Sequence, residues 1–167
     1  MIPLSPDELR AWRSYTSAST LLQDAVDRRV QADAGMPHLY YSILATLSEA
    51  PERRLRMIDL AATLKITRSR LTHAVARLEK DGTVRRESYP TDRRGHKVVL
   101  TDEGMSLVER IAPGHVATVR AAVFDRLTAE QVGQLEEICD AITLAIQGSD
   151  PAAGGEDLPW QRRTRST

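Results

Sequence analysis

A single cysteine, Cys139, stands in the 167 residues. No intramolecular disulfide framework and no cysteine-built zinc finger can therefore hold the fold together. Aromatic residues make up only 4% of the chain. No apolar run approaches the roughly 18–20 residues that a bilayer-spanning helix needs. The first residues, Met-Ile-Pro-Leu-Ser-Pro-Asp-Glu, carry neither a basic n-region nor an apolar h-region, so a soluble, cytoplasmic protein with no membrane partner is expected. Catalytic signatures are missing as well, with no glycine-rich phosphate loop, no GxSxG and no HExxH. The four histidines are scattered. His38 and His115 could meet in space, but no HxxxH or CxxC pair supplies closely spaced metal ligands. Asp24 with Asp27 and Glu136 with Glu137 read as solvated helix charges rather than acid–base pairs. Neither an enzyme, a cofactor nor a metal site is expected.

There is no net charge either, since 23 Lys and Arg balance 23 Asp and Glu. The balance is uneven along the chain. Residues 51–100 hold 13 basic and 6 acidic side chains, a local charge of +7, and the remainder carries −7. A basic segment on an acidic scaffold points to a polyanion site. The length suits one domain with helical extensions and is enough to bury a core unaided.

Helix signals dominate. Ser5, Pro6 and Glu8 form a capping box with proline at the first helical position. The helix they start runs on Leu9, Trp12, Leu21, Leu22, Ala25 and Val26 to about Arg29. A shorter helix follows the Gly35-Met36-Pro37 break. Met57–Leu64 reads as a compact helix with Ile58, Leu60, Ala61 and Leu64 on one side, and Lys65-Ile66 as a turn. Thr67 then caps a helix whose Leu71, Ala74, Val75 and Leu78 recur at i, i+3, i+4 and i+7, one buried face. Asp81-Gly82 ends it. Two extended runs, residues 83–88 and 96–100, flank a polar turn at 89–95 and suggest a hairpin with a basic tip. A long helix starts at Thr101-Asp102-Glu103, and Pro113-Gly114 should kink or split it before it continues to Leu127. Thr128 and Gln131 form a second capping box, and the last helix runs to about Ile146. Cys139, on its apolar stripe, is expected to be a buried structural thiol.

Two helices, a short turn and a hairpin in this order make a winged helix-turn-helix. With Leu71 on the buried side, Ser69, His73, Ala76 and Lys80 lie opposite it, flanked by Arg70, Thr72 and Arg77. Such a face is basic and short-chained near the helix N-terminus, the end that enters a major groove. Arginine forks can take guanine O6 and N7, and Ser, Thr and His reach other base edges. The adjacent Arg93 and Arg94 at the hairpin tip suit a minor groove or its phosphates. The competing reading is a winged-helix protein-interaction module without DNA binding.

Leu60-Ala61, Leu64, Thr72, Val75, Leu78-Glu79, Gly82, Val84 and Arg86, followed by the wing Asp92-Arg93-Arg94-Gly95, then Leu100-Thr101 and Gly104, form a pattern. It resembles the MarR (multiple antibiotic resistance regulator) family over roughly residues 5–147. The resemblance implies a mostly α protein with a small β-wing. A winged helix-turn-helix DNA-binding domain (36–100) would be flanked by long N- and C-terminal dimerisation helices (1–35 and 101–147); beyond the resemblance, the Gly, Ser, Pro and mixed charge of residues 148–167 read as a disordered tail. It implies a sequence-specific transcriptional regulator, a repressor, binding a pseudo-palindromic double-stranded DNA operator as a homodimer. Thr67, Ser69, Thr72 and His73 fall where the family reads bases or nearby phosphates, with Arg68, Arg70 and Arg77 alongside. Arg94 matches the wing arginine, Arg93 adjoins it, and Asp92 matches the carboxylate that orients the wing arginines. His73 stands where Arg is common, and Thr83 where a bulky apolar residue is usual. The resemblance also suggests release by a small aromatic or phenolic ligand, held between the dimer helices and the DNA-binding lobe. Candidate lining residues are Trp12, Tyr15, His38 and Tyr41, with Arg29 as an anion partner. The length and apolar content of the terminal helices independently favour a dimer.

Overall fold

A computed structural model of the chain describes residues 2–88 and 96–149. Helix α1, Pro6–Ala34, starts at the expected capping box: the Ser5 hydroxyl accepts from the Glu8 N–H, and the Glu8 carboxylate accepts from the Ser5 N–H at 2.7 Å. It ends beyond Arg29, at Gly35, whose φ of 65° is the left-handed geometry that glycine adopts without a Cβ clash. Only Val26 and Val30 of this helix are buried. Helix α2, His38–Glu49, lies at the centre and buries Tyr41, Ile43, Leu44 and Leu47.

Helices α3, Met57–Thr63, and α4, Arg68–Lys80, form the helix-turn-helix. Lys65 turns the chain with a φ of 54°, and the Ile66 N–H closes the turn on the Ala61 carbonyl at 3.1 Å. Leu60 and Ala61 are buried as predicted, but Ile58 is exposed because it faces away from α4 and the core. On α4 the predicted face is the buried one, with Leu71, Ala74, Val75 and Leu78 all inside.

The sheet has three antiparallel strands where two were expected. Strands β1, Arg54–Arg56, β2, Val84–Ser88, and β3, His96–Leu100, lie in the order β1-β3-β2. In β1 only Leu55 points inward, opposite Val98, so a run of three residues offered no alternation to detect. Helix α5, Asp102–Ala122, passes through Pro113 as one helix rather than splitting. Two features explain this. Glu109, whose carbonyl Pro113 cannot bond, is on an exposed turn open to water, and α1 packs along α5, with the Arg29 guanidinium against Gly114. The helix stops at Ala122, and a 3-10 turn, Phe124–Arg126, leads on. Helix α6, Ala129–Ser149, starts at the predicted Thr128–Gln131 box.

No residue of α6 up to Gln147 is buried, and this corrects the expectation for Cys139: the thiol is exposed. The apolar stripe exists, but among the described residues nothing buries it. Thr83, by contrast, fits where an apolar side chain was usual. It is buried with its hydroxyl donating to the Leu78 carbonyl at 3.0 Å, which satisfies the polar atom. The tail expected at 148–167 lies, from residue 150 onward, outside the described residues.

Candidate nucleic-acid interface

Thr67 caps α4, its hydroxyl accepting the Arg70 N–H at 3.2 Å. The cap fixes where the helix begins and so which side chains lead. Arg68, Ser69, Arg70, Thr72, His73, Ala76, Arg77 and Lys80 are all exposed, so the structure brings the predicted reading face together. Its members differ in how committed they are. Arg77 is paired with Asp81 at 3.1 Å, and the Thr72 hydroxyl donates back to the Arg68 carbonyl at 2.8 Å. Among the described residues, Arg68, Ser69, Arg70 and His73 make no side-chain hydrogen bond or ion pair. An exposed arginine with no partner is available to a base edge or phosphate without first breaking a contact.

The wing strands flank this helix. Arg93 and Arg94, with Asp92, fall in residues 89–95, outside the described residues. On the strands, Arg54, Arg56, Arg85 and Lys97 share the outward side with Glu87. Arg85 pairs with Glu87 at 2.6 Å, and Arg54 pairs with Glu52 and approaches Glu87 at 3.8 Å. Arg86 lies on the opposite, inward side, a placement that needed the strand register and was invisible in sequence.

The four residues suggested for a ligand separate into two sites. Trp12 and Tyr15 sit together on α1 with ring centroids 6.2 Å apart, both about half exposed. His38 and Tyr41 lie elsewhere, in a cluster with His115 from α5. The His38 N–H donates to Asp27 Oδ1 at 2.8 Å, and Asp27 is fifteen residues of helix, about 22 Å, from Trp12. Within one chain these pairs cannot line one pocket. Arg29 is taken by Asp33 at 2.8 Å.

A cavity of about 450 Å³ opens beside His38, between α1, α2 and the turn before α4. Asp24, Asp27, Ser42, Ile66 and Arg70 contribute to its wall. Burial lowers the pKa of His38, the nearby His115 adds to this, and Asp27 opposes it. Burial also lowers His115 and raises the Tyr41 phenol, the latter with help from Glu49. Among the described residues no group of three or more His, Cys, Asp or Glu could hold a metal ion, and no helix is long and apolar enough to cross a membrane.

Residues 34–95 match the model of the MarR family. The solved structure of Sco3205, a MarR family transcriptional regulator from Streptomyces coelicolor in complex with DNA, is similar over 97% of this chain and 98% of its own, at 55% identity and a TM-score of 0.87. The HTH-type transcriptional regulator PrsX of Escherichia coli is 34% identical over 56% of each chain. The HTH-type transcriptional repressor YetL of Bacillus subtilis is 30% identical over 55% of each. The chain thus spans little more than half the length of the curated relatives it matches.

Proposed function

The chain belongs to the MarR family, and we propose that it is a homodimeric transcriptional repressor reading a pseudo-palindromic operator in double-stranded DNA. The observation that carries this reading is the α4 surface, where Arg68, Ser69, Arg70 and His73 lead an exposed helix face with no competing side-chain partners among the described residues. Arginine supplies bidentate contacts to guanine, and Ser and His read further base edges. The DNA complex of Sco3205 supports the partner, and the naming of YetL supports the repressor role. Arg93 and Arg94, guided by Asp92, are assigned to the minor groove beside the site.

The dimer reading is supported by apolar side chains that one chain leaves in water. Leu135, Ile138, Ile142, Leu144 and Ile146 are exposed along α6, as are Leu9, Trp12 and Leu21 on α1. A two-fold axis joining these helices would set the two α4 helices about one DNA turn, roughly 34 Å, apart. A small aromatic or phenolic effector fits the cavity beside His38. Arg70 belongs both to its wall and to the reading face, so occupancy there would compete with DNA for one arginine.

Selection of random duplex DNA by the purified protein, followed by sequencing, tests the reading. An enriched inverted repeat with half-sites about 10 base pairs apart is expected. Affinity should fall by about 10³–10⁵ between 50 and 200 mM salt if six to ten phosphates are contacted. A verified dimer that enriches no sequence would leave the protein-interaction module as the better account.

A further inference from the structure

Strand register places Arg86 on the wrong side for a surface arginine. Its partner across the ladder is Val98, which in turn faces Leu55, and both are buried. Arg86 therefore points toward the recognition helix rather than away from the sheet. A charge in that position needs acceptors, since desolvating an unpaired guanidinium is costly. Helix α4 supplies two. The Arg86 backbone N–H donates to Glu79 Oε1 at 3.0 Å, its Nε lies 3.5 Å from Glu79 Oε2, and its Nη2 donates to the Thr72 carbonyl at 3.4 Å. Thr72 and Glu79 are seven residues apart, about 10 Å along the axis. They converge because helical carbonyls point toward the C-terminus while side chains lean toward the N-terminus. One arginine on the first wing strand thus holds the recognition helix across two turns.

We propose that Arg86 and Glu79 are positioning residues that fix the angle between the wing and the recognition helix, so that both enter their grooves together. This rests on the DNA-binding reading above, but it assigns neither residue to the DNA. Arg86 is the arginine of the wing strands that is turned inward. Arg85, its neighbour, is turned outward and more exposed. Without the side-chain ties β2 keeps its ladder to β3 and the packing of Val84, Val98 and Leu100 in the core. The guanidinium, however, no longer holds the strand to α4, and the wing is presented to the duplex over a wider spread of angles. The loss would appear in the contribution of the wing, not in base preference at the recognition helix.

Two measurements test this, one without DNA. Amide hydrogen exchange of residues 84–88 and 96–100 in the free protein should quicken about tenfold in Arg86→Met, with α1 and α5 amides unchanged. Binding of the selected duplex by parent, Arg86→Met, Arg93→Ala/Arg94→Ala and the triple variant forms a cycle. Arg86→Met should weaken binding about tenfold in the parent and leave it nearly unchanged in the variant already lacking both wing arginines. Glu79→Gln, which keeps an acceptor for the Arg86 N–H and removes the charge, should show a smaller loss of the same kind and serves if Arg86→Met does not fold. Unchanged exchange together with a penalty that adds in full would make Arg86 a phosphate contact and overturn the proposal alone. A parent protein that binds no duplex would overturn the DNA reading itself.

Discussion

His38 and His115 stack with ring centroids 5.1 Å apart, and Tyr41 closes the third side 4.8 Å from His115. The cluster joins α2 to α5, and it is a poor place for positive charge. Both imidazoles have pKa values lowered from the usual 6.5, chiefly by burial, and Nδ1 of His115 is buried with no hydrogen-bond partner among the described residues. The unfolded chain therefore binds more protons than the folded one once the pH drops below about 6.5. Stability should be full above that pH and fall as the pH drops toward the folded-state values. Urea midpoints measured between about pH 8 and pH 5, above the range where carboxylates titrate, should show this fall. His115→Phe should flatten it. An equal fall in parent and variant would place its origin elsewhere.

Two glycines predict opposite outcomes for the same substitution. A Cβ on Gly104 would lie 2.1 Å from the Thr83 carbonyl oxygen and 2.6 Å from Leu100 Cδ1, so backbone must move. Nothing lies within 4 Å of a Cβ on Gly133, in the interior of α6. Gly104→Ala should cost about 1–3 kcal/mol through overpacking, and Gly133→Ala should gain about 0.5–1 kcal/mol through helix propensity. Denaturant melts of the two variants against the parent would check both signs. The Gly104 contact also matters for geometry. Thr101 Oγ1 donates to the Gly82 carbonyl at 2.8 Å nearby, so the end of α4 and the start of α5 are locked at this point.

The helices were legible because each carries its own signals. Capping at Ser5, Thr67 and Thr128, the stripe of Leu71, Ala74, Val75 and Leu78, and glycine at 35 and 82 are local and need no tertiary knowledge. What escaped was non-local. Strand β1 is three residues long and takes its identity from β3. Arg86 reads as one more basic residue until pairing turns it inward. Trp12 and Tyr15 were grouped with His38 and Tyr41 through the family resemblance, and the length of α1 keeps the two pairs apart. Cys139 sits on an apolar stripe, as expected, but a stripe on one helix does not say whether the covering surface lies in the same chain.

Thr67 separates two roles that share one side chain. Its hydroxyl caps α4, and it also stands at the end of the helix assigned to the DNA. Thr67→Ala removes the cap and should cost about 1 kcal/mol of stability. Thr67→Asp keeps a good N-cap acceptor and should leave stability near that of the parent. The added carboxylate would face phosphate, so affinity for the selected duplex should drop at least about tenfold. Matched stability with unchanged affinity for Thr67→Asp would move the DNA-facing end of α4 away from this residue.

The terminal helices give the last prediction. Ile138 is 57% exposed on α6, with Leu135 and Ile142 at i−3 and i+4 on the same side. A continuous apolar stripe of this kind is costly to leave in water and typical of an interface. In a two-fold dimer every substitution occurs twice, so Ile138→Asp would bury two unpaired carboxylates at about 3 kcal/mol or more each. Sedimentation should show a dimer for the parent and a monomer for Ile138→Asp. Ile58→Asp, an exposed site on α3 away from the terminal helices, should leave the dimer intact. The monomer should keep the fold of the winged region, whose core is built from α2 to α5 with Val30 of α1 and, among the described residues, takes nothing from α6. It should nevertheless lose the inverted repeat, because one α4 reads only one half-site. A dimeric Ile138→Asp variant would mean that the α6 stripe is covered by something other than a second copy of this chain.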